Sequence, residues 1–296
     1  MKRLPVGRFL FILPALVAFA FFIVYPIAFN IFISFTSWHG YGNQFDFVGW
    51  TNYVLFSQSL EIGYDIANAL FWSAFFLTVP VVVGLFLAAL LTTDIKGKWF
   101  FKAVFYYPQV LSGLLAALIW TWMITSFTGL IPDVLSYLNA EWVGNYIFSF
   151  NTEWTANATM AVISLWQSVG FSMIIFLVGL SSISPSLVES ARTEGAGRLA
   201  LYWNVIVPLL RPFLVVIIVF AIANALRYFD LVYGLTQGGP AGSTQTLGLT
   251  MWIDAFIDNY YGQGAAVANL LFVLTAIITV VYLRFYLRSE RSIWTK

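Results

Sequence analysis

The chain has 296 residues, of which 60% are hydrophobic and only 9% charged, against about a quarter charged in an ordinary soluble domain. So apolar a chain has too little polar surface to fold in water, and its composition points to lipid as the solvent. A formal net charge of +1 leaves no electrostatic footprint for nucleic acid, and the lack of cysteine excludes disulfides, thiolate metal sites and thiol nucleophiles.

About 20 apolar residues rising ~1.5 Å each cross a hydrocarbon layer of ~30 Å. Six segments predict such spans: 9–35, 68–91, 104–124, 158–180, 212–233 and 265–287. The expected fold is an all-α membrane protein forming one transmembrane domain over 1–296. In span one, Pro14 and Pro26 each remove a backbone donor and are expected to bend the helix. Lys2, Arg3 and the run up to Ala18-Phe19-Ala20 imitate a cleavable signal. The apolar run continues to Phe35, however, and favours an uncleaved first span. His39, the single histidine, reads as a solvated loop residue. Between spans two and three, Gly97-Lys98-Trp99 is the nearest approach to a phosphate-binding loop. It lacks the length and the magnesium-binding hydroxyl, so the chain is not expected to be an enzyme or to hold a cofactor.

Polar residues inside spans are expensive and tend to face an interior pathway. Span four carries Ser164, Gln167, Ser168 and Ser172; the first three and Phe171 recur at helical spacing and share one face. Span five carries Asn224, Arg227, Tyr228 and Asp230. Arg227 lies ~22 Å beyond Pro212 along a helix rising ~1.5 Å per residue, and Asp230, three residues on, is placed to pair with it. Ala221 and Ala225 fall on the same face and would widen a cavity there, while Asn269 in span six is a weaker candidate.

Thirteen of the fourteen Lys and Arg residues fall on one side of these spans. They are Lys2, Arg3 and Arg8 before span one, Lys96, Lys98 and Lys102 between spans two and three, Arg192, Arg198 and Arg211 between spans four and five, and Arg284, Arg288, Arg291 and Lys296 after span six. The opposite loops, 37–67, 125–157 and 234–264, contain none and carry Asp46, Glu61, Asp65, Asp133, Glu141, Glu153, Asp254 and Asp258. This asymmetry predicts both termini in the cytoplasm. Trp38, Trp50, Trp142, Trp154 and Trp252 fit an interfacial aromatic belt.

The predicted cytoplasmic segment 182–211 is long for a helix connection. Ser184 is a plausible N-cap and Pro185 suits a first helical position. Leu187, Val188 and Ala191 give an apolar stripe, and Gly195-Ala196-Gly197 ends the helix, since glycine accepts the left-handed turn. Leu199–Val207 predicts a second short helix, with Pro208 and Pro212 breaking the chain before span five. Two helices with a glycine elbow make a knob able to enter a partner's cleft.

The run Glu189-Ser190-Ala191, then Gly195, then Val205-Ile206-Val207-Pro208 resembles the "EAA" coupling loop of type I ABC importer permeases, within them the carbohydrate-uptake kind. Tyr25-Pro26, Phe47-Val48-Gly49-Trp50-Thr51-Asn52-Tyr53, Trp166 with Gly170-Phe171, Phe229-Asp230-Leu231-Val232-Tyr233 and Leu235-Thr236-Gln237-Gly238-Gly239-Pro240 match in order and spacing. Ser190 stands where that family usually has Ala, and Glu194 where it usually has Asp. The resemblance implies that Glu189, Ser190, Ala191, Gly195, Ala196 and Pro208 form the ATPase-coupling surface. It also implies a sister permease as heterodimer partner, two ATPase subunits that hold ATP and magnesium, and an extracytoplasmic solute-binding protein. The location implied is a bacterial or archaeal inner membrane, and the substrate a carbohydrate. Ser164, Gln167, Ser168, Phe171, Asn224, Arg227, Tyr228 and Asp230 would then line the pathway, with Phe171, Tyr228 or Trp166 stacking on the sugar. The competing reading treats the polar groups as interhelical ties and Arg227–Asp230 as a structural pair. The functional rivals are an ion-gradient-driven carrier using that pair and a non-transporting membrane scaffold.

Overall fold

The computed structural model describes residues 6–42, 44–124 and 129–294; Lys2, Arg3 and Lys296 lie outside the described residues. Helix α1 (Val6–Phe19) passes through a π turn at Ala20–Val24 into α2 (Tyr25–Ile33), and α3 (Thr51–Ser57) precedes the long α4 (Ile62–Leu91). Next come α5 (Lys98–Tyr106), continued by a 3-10 turn at Tyr107–Val110, and α6 (Gly113–Ile124). The short α7 (Leu130–Tyr137) and α8 (Glu141–Ile147) lead into α9 (Glu153–Ser181). Then follow α10 (Pro185–Thr193), α11 (Arg198–Leu201), a π turn at Tyr202–Ile206 and α12 (Val207–Leu209). The chain ends with α13 (Arg211–Leu226), α14 (Asp230–Leu235), α15 (Leu247–Trp252) with a π turn at Ile253–Ile257, and α16 (Tyr261–Trp294). Among the described residues the only strand-like pairing is an isolated bridge between Thr36 and Phe47.

Among the described residues, four helical runs are each long and apolar enough to cross a membrane: Phe11–Ile33, Ile62–Leu91, Glu153–Ser181 and Tyr261–Leu287. The predicted spans three and five are not single straight helices. Lys98–Val110 and Gly113–Ile124 meet at 105°, and Leu199–Leu209 and Arg211–Leu226 at 69°. In the first pair, Pro108 supplies no donor, and Leu111 is extended, at φ −72° and ψ 140°. Ser112 then caps the new helix, its Oγ accepting from the Leu115 N–H at 3.3 Å. Span five also stops early, at Leu226, and resumes as α14. Counting each bent pair as one span brings the total among the described residues to six.

Two of the prolines in these runs follow a widened turn. A proline ring crowds the carbonyl four residues back and offers it no N–H. Before Pro26 the helix relaxes into the π turn at Ala20–Val24, and before Pro208 into the one at Tyr202–Ile206, in the same register. The wider turn removes the crowding locally. Phe11–Ile33 therefore serves as one span-length run despite Pro14 and Pro26. Pro208 sits inside the helical run it was expected to break, and the bend falls at Leu210–Arg211, after which Pro212 opens α13.

The chain divides into two compact units, Met1–Ile62 with Thr250–Val273, and Gly63–Leu249 with Leu274–Lys296. In the first, Asn30 Nδ2 donates to Asn269 Oδ1 at 2.9 Å. Asn52 Nδ2 donates to the carbonyls of Ser34 and Thr36 at 2.8 and 2.9 Å. Asn269 thus ties two helices together. His39 is exposed, with its ring beside Tyr260. Burial, and then the nearby Asp258 and Glu61 carboxylates, push the Asp254 carboxyl up to about 6.

In the second unit, Ala88 and Leu91 of α4, Met173, Phe176 and Leu177 of α9, Leu201, Ile206, Leu210 and Ile217 form a buried apolar cluster. It joins the segment after α10 directly to the long helices. Gly84 lies against Ser172, and Gly170 against the backbone of Phe105 and Tyr106, so α9 packs nearly backbone to backbone on α4 and α5.

Candidate functional site

A polar cavity of about 190 Å³ lies within the second unit, between the two broken helices and α9. From α9 come Ser164, Gln167 and Ser168; from the end of α13 and the start of α14 come Asn224, Arg227, Tyr228 and Asp230. Seven of the eight residues proposed for the pathway therefore meet in one place. Phe171 does not: it lines a separate narrow crevice, stacked on Phe220 with ring centroids 4.1 Å apart. Ala221 shares that crevice, while Ala225 is buried in packing. Gln109, Leu111 and Gly113, at the break between α5 and α6, also line the polar cavity. Gln167 Nε2 donates to the Leu111 carbonyl at 2.9 Å, which occupies an acceptor that the broken helix leaves open. Gln109 Oε1 is buried with no hydrogen-bond partner among the described residues.

Arg227 and Asp230 form no ion pair with each other. The i, i+3 expectation presumed an unbroken helix, but α13 ends at Leu226 and Phe229 turns away at φ −129°, ψ −55°. Arg227 caps α13, its Nε donating to the Ala223 carbonyl at 3.2 Å. Asp230 opens α14 and presses its Cβ and carboxylate on Gly113, the first residue of α6. Each charge thus sits at the helix end of matching dipole, the cation at a C-terminus and the anion at an N-terminus.

The aromatic residues expected to stack on solute are otherwise engaged. Tyr228 is buried, its ring 4.1 Å from that of Trp72 and its hydroxyl 2.6 Å from Ser164 Oγ. Trp166 meets Trp120 edge to face at 5.6 Å. For Ser164 and Tyr228 the interhelical tie is what the geometry supports.

The loop after α9 is built as a helix, a left-handed turn and a second helix. Gly195 has φ +87°. The Gly195 N–H donates to the Arg192 carbonyl and the Ala196 N–H to the Ala191 carbonyl, both at 3.0 Å, which is the Schellman ending. Ser184 stands at the N-cap, yet its hydroxyl bonds Ser186 Oγ at 2.7 Å and not a backbone N–H. Val188 and Ala191 pack on the buried cluster, whereas Leu187 of the predicted stripe is exposed. Glu189, Ser190 and Gly195 are exposed, and Ala191, Ala196 and Pro208 half-buried. Leu199 and Trp203 also stand exposed on this segment, at 76% and 64%, a surface that the sequence reading missed.

The family of "binding-protein-dependent transport system inner membrane component" proteins matches residues 68–294. The chain belongs to this family. The multiple sugar-binding transport system permease protein MsmF of Streptococcus mutans is 34% identical over 283 residues, covering 95% of each chain. The probable starch degradation products transport system permease protein AmyD of Thermoanaerobacterium thermosulfurigenes is 28% identical over 284 residues, covering 96% of this chain and 94% of the relative. A bacterial ABC transporter involved in import of the acidic polysaccharide alginate has the same fold, with TM-score 0.80, 19% identity and coverage of 95% and 94%. Among the cavity residues of this permease component, Gln109 was within reach of sequence reading, as a glutamine inside a predicted span. Gly113 was not, because its role comes from the Asp230 side chain lying against it.

Proposed function

We propose that this chain is one of two permease subunits of an ATP-driven importer that carries a sugar or related polyhydroxylated solute into the cytoplasm. The observation that carries the reading is the polar cavity between broken helices. Its amides and hydroxyls (Gln109, Gln167, Ser168, Asn224) suit hydroxyl groups, and Gln109 Oε1, unpartnered among the described residues, is an acceptor for one of them. The names of the sugar-transport relatives support the same solute class. A cavity of about 190 Å³ is small beside the ~300–1,000 Å³ of ordinary ligand sites. That supports a pathway completed by a sister subunit.

In this reading both termini are cytoplasmic, and the knob of 182–211 enters a cleft on one of two ATPase subunits, which bind ATP and magnesium. Glu189 meets a basic residue there, and Gly195 shapes the turn. A binding protein delivers solute to the outer face. ATP closure draws the knobs together, and α9 and α13, joined to them through the buried cluster, rock as packed bodies to alternate access. Broken helices also occur in gradient-driven carriers. The separation of Arg227 from Asp230 removes the coupling pair that the carrier alternative needed.

The test is uptake of radiolabelled mono- and oligosaccharides by proteoliposomes holding the four-subunit complex, with external binding protein and internal ATP. ATP-dependent uptake with a KM raised about tenfold by Asn224→Ala is expected, the worth of one polar contact to solute. Uptake driven by an ion gradient without ATP would overturn the proposal.

A further inference from the structure

A second cavity of about 460 Å³ lies in the same unit, at the other end of the α6–α14 pair. Helix α6 gives Gly113 to the polar cavity and Thr121 and Ile124 to the second; α14 gives Leu231 to the first and Leu235 to the second. At about 1.5 Å per residue, the steps from Leu231 to Leu235 and from Gly113 to Thr121 place the cavities roughly 6–12 Å apart.

Sugars are held by two kinds of group together: an aromatic face for the ring C–H surface, and carboxylates or amides for the hydroxyls. The polar cavity has the second kind, but the faces of Tyr228 and Phe76 are taken up by one another and by Trp72, and Phe229 stacks on Tyr233. The second cavity has both. Phe150 lines it, half-buried and without a ring partner among the described residues, while Phe148 lies parallel to Trp120 at 6.1 Å. Glu141 lines it too, with Oε1 accepting from Ser136 Oγ at 3.2 Å and its other oxygen unbonded among the described residues. The Asn151 side-chain amide makes no hydrogen bond among the described residues, although its backbone N–H reaches Ser149 Oγ at 3.3 Å.

From this juxtaposition of Phe150, Glu141 and Asn151 beside the pathway we infer that the second cavity is an outer subsite for the trailing units of an oligosaccharide. The leading unit occupies the polar cavity. A 1,4-linked hexose advances roughly 5 Å, from single bonds of about 1.5 Å, so a tetrasaccharide reaches both cavities and a disaccharide only one. The inference rests on the sugar reading above, and it assigns to this subunit a preference for chain length.

Because the chain has no cysteine, Asn151→Cys introduces a single thiol. Its maleimide labelling is measured in the reconstituted complex with cysteine-free partners. The probes are maltose, maltotetraose, cellobiose and cellotetraose, each with ATP-dependent uptake followed in parallel. A transported tetrasaccharide is expected to slow labelling about tenfold while its disaccharide leaves the rate unchanged. Phe150→Ala is expected to raise the tetrasaccharide KM about tenfold and leave disaccharide uptake intact, the latter also reporting a folded complex. Unprotected labelling while tetrasaccharide is transported overturns the subsite alone. Protection by binding protein without sugar overturns it in favour of a protein-docking pocket. Failure of every probe to be transported removes the sugar reading and the subsite with it.

Discussion

Gly195→Ala isolates the conformational part of the loop's role. Gly195 has φ +87°, and a Cβ built there meets no atom within 4 Å. The substitution therefore causes no clash, and its whole cost is the left-handed backbone, roughly 1–2 kcal/mol for a residue with a Cβ. Since about 1.4 kcal/mol is tenfold, the equilibrium constant for forming the Schellman turn falls roughly 5- to 30-fold. The molecule as a whole still folds, because the loss is small beside ~5–15 kcal/mol of global stability. Asparagine tolerates the left-handed region far better. The expected order for copurification with the ATPase subunits, and for ATPase stimulation by loaded binding protein, is Gly195 first, Gly195→Asn close behind and Gly195→Ala lowest. Equal loss in both variants would refute the reasoning, because it would mean that the partner needs empty space at this position and not a backbone shape.

Gly113→Ala drives a methyl into the Asp230 side chain and should cost about 1–3 kcal/mol; Asp230→Gly in the same chain should restore most of the lost thermal stability of the solubilised complex. Tyr228→Phe removes the 2.6 Å bond to Ser164 and should lower stability by about 0.6 kcal/mol while leaving the uptake KM unchanged, whereas a rise in KM would make Tyr228 a solute contact. Asp254, pushed up to about 6 against an unfolded value near 3.9, holds its proton more tightly when folded. Its contribution is thus fully present below about pH 4 and is lost as pH rises through 6. Hydrogen exchange at residues 254–260 should be slower at pH 5 than at pH 7 after correction for intrinsic rates, and Asp254→Asn should abolish the difference.

What could be read in advance follows the locality of its cause. The helix–turn–helix of 182–211 was legible because Pro185 and Gly195 dictate backbone angles by themselves. The facing of Ser164, Gln167 and Ser168 was legible because α9 is unbroken. The Arg227–Asp230 pair was misread because nothing local marks the break at 227–229. The freed Tyr228 carbonyl accepts from Thr246 Oγ1 at 2.8 Å, and the ring is clasped by Trp72, both remote in sequence. The break in span three was marked by Pro108 and Gly113, but a hydropathy window averages across two such residues in an apolar run. The second cavity was illegible, being a shape made by four helices.

The π turns at Ala20–Val24 and Tyr202–Ile206 amount to a surplus residue stored in each helix, in a turn that ends two residues before a proline. A residue turns about 100° around an α-helix, so the side chains before and after each π turn are out of phase by that angle. Deleting any one residue from 20–24 would restore a regular spiral, and with it the collision at Pro26. It would also swing everything N-terminal about a quarter of the way round the axis. The length of this stretch is therefore constrained even where its composition is not, and single-residue deletions there should be tolerated less well than hydrophobic substitutions.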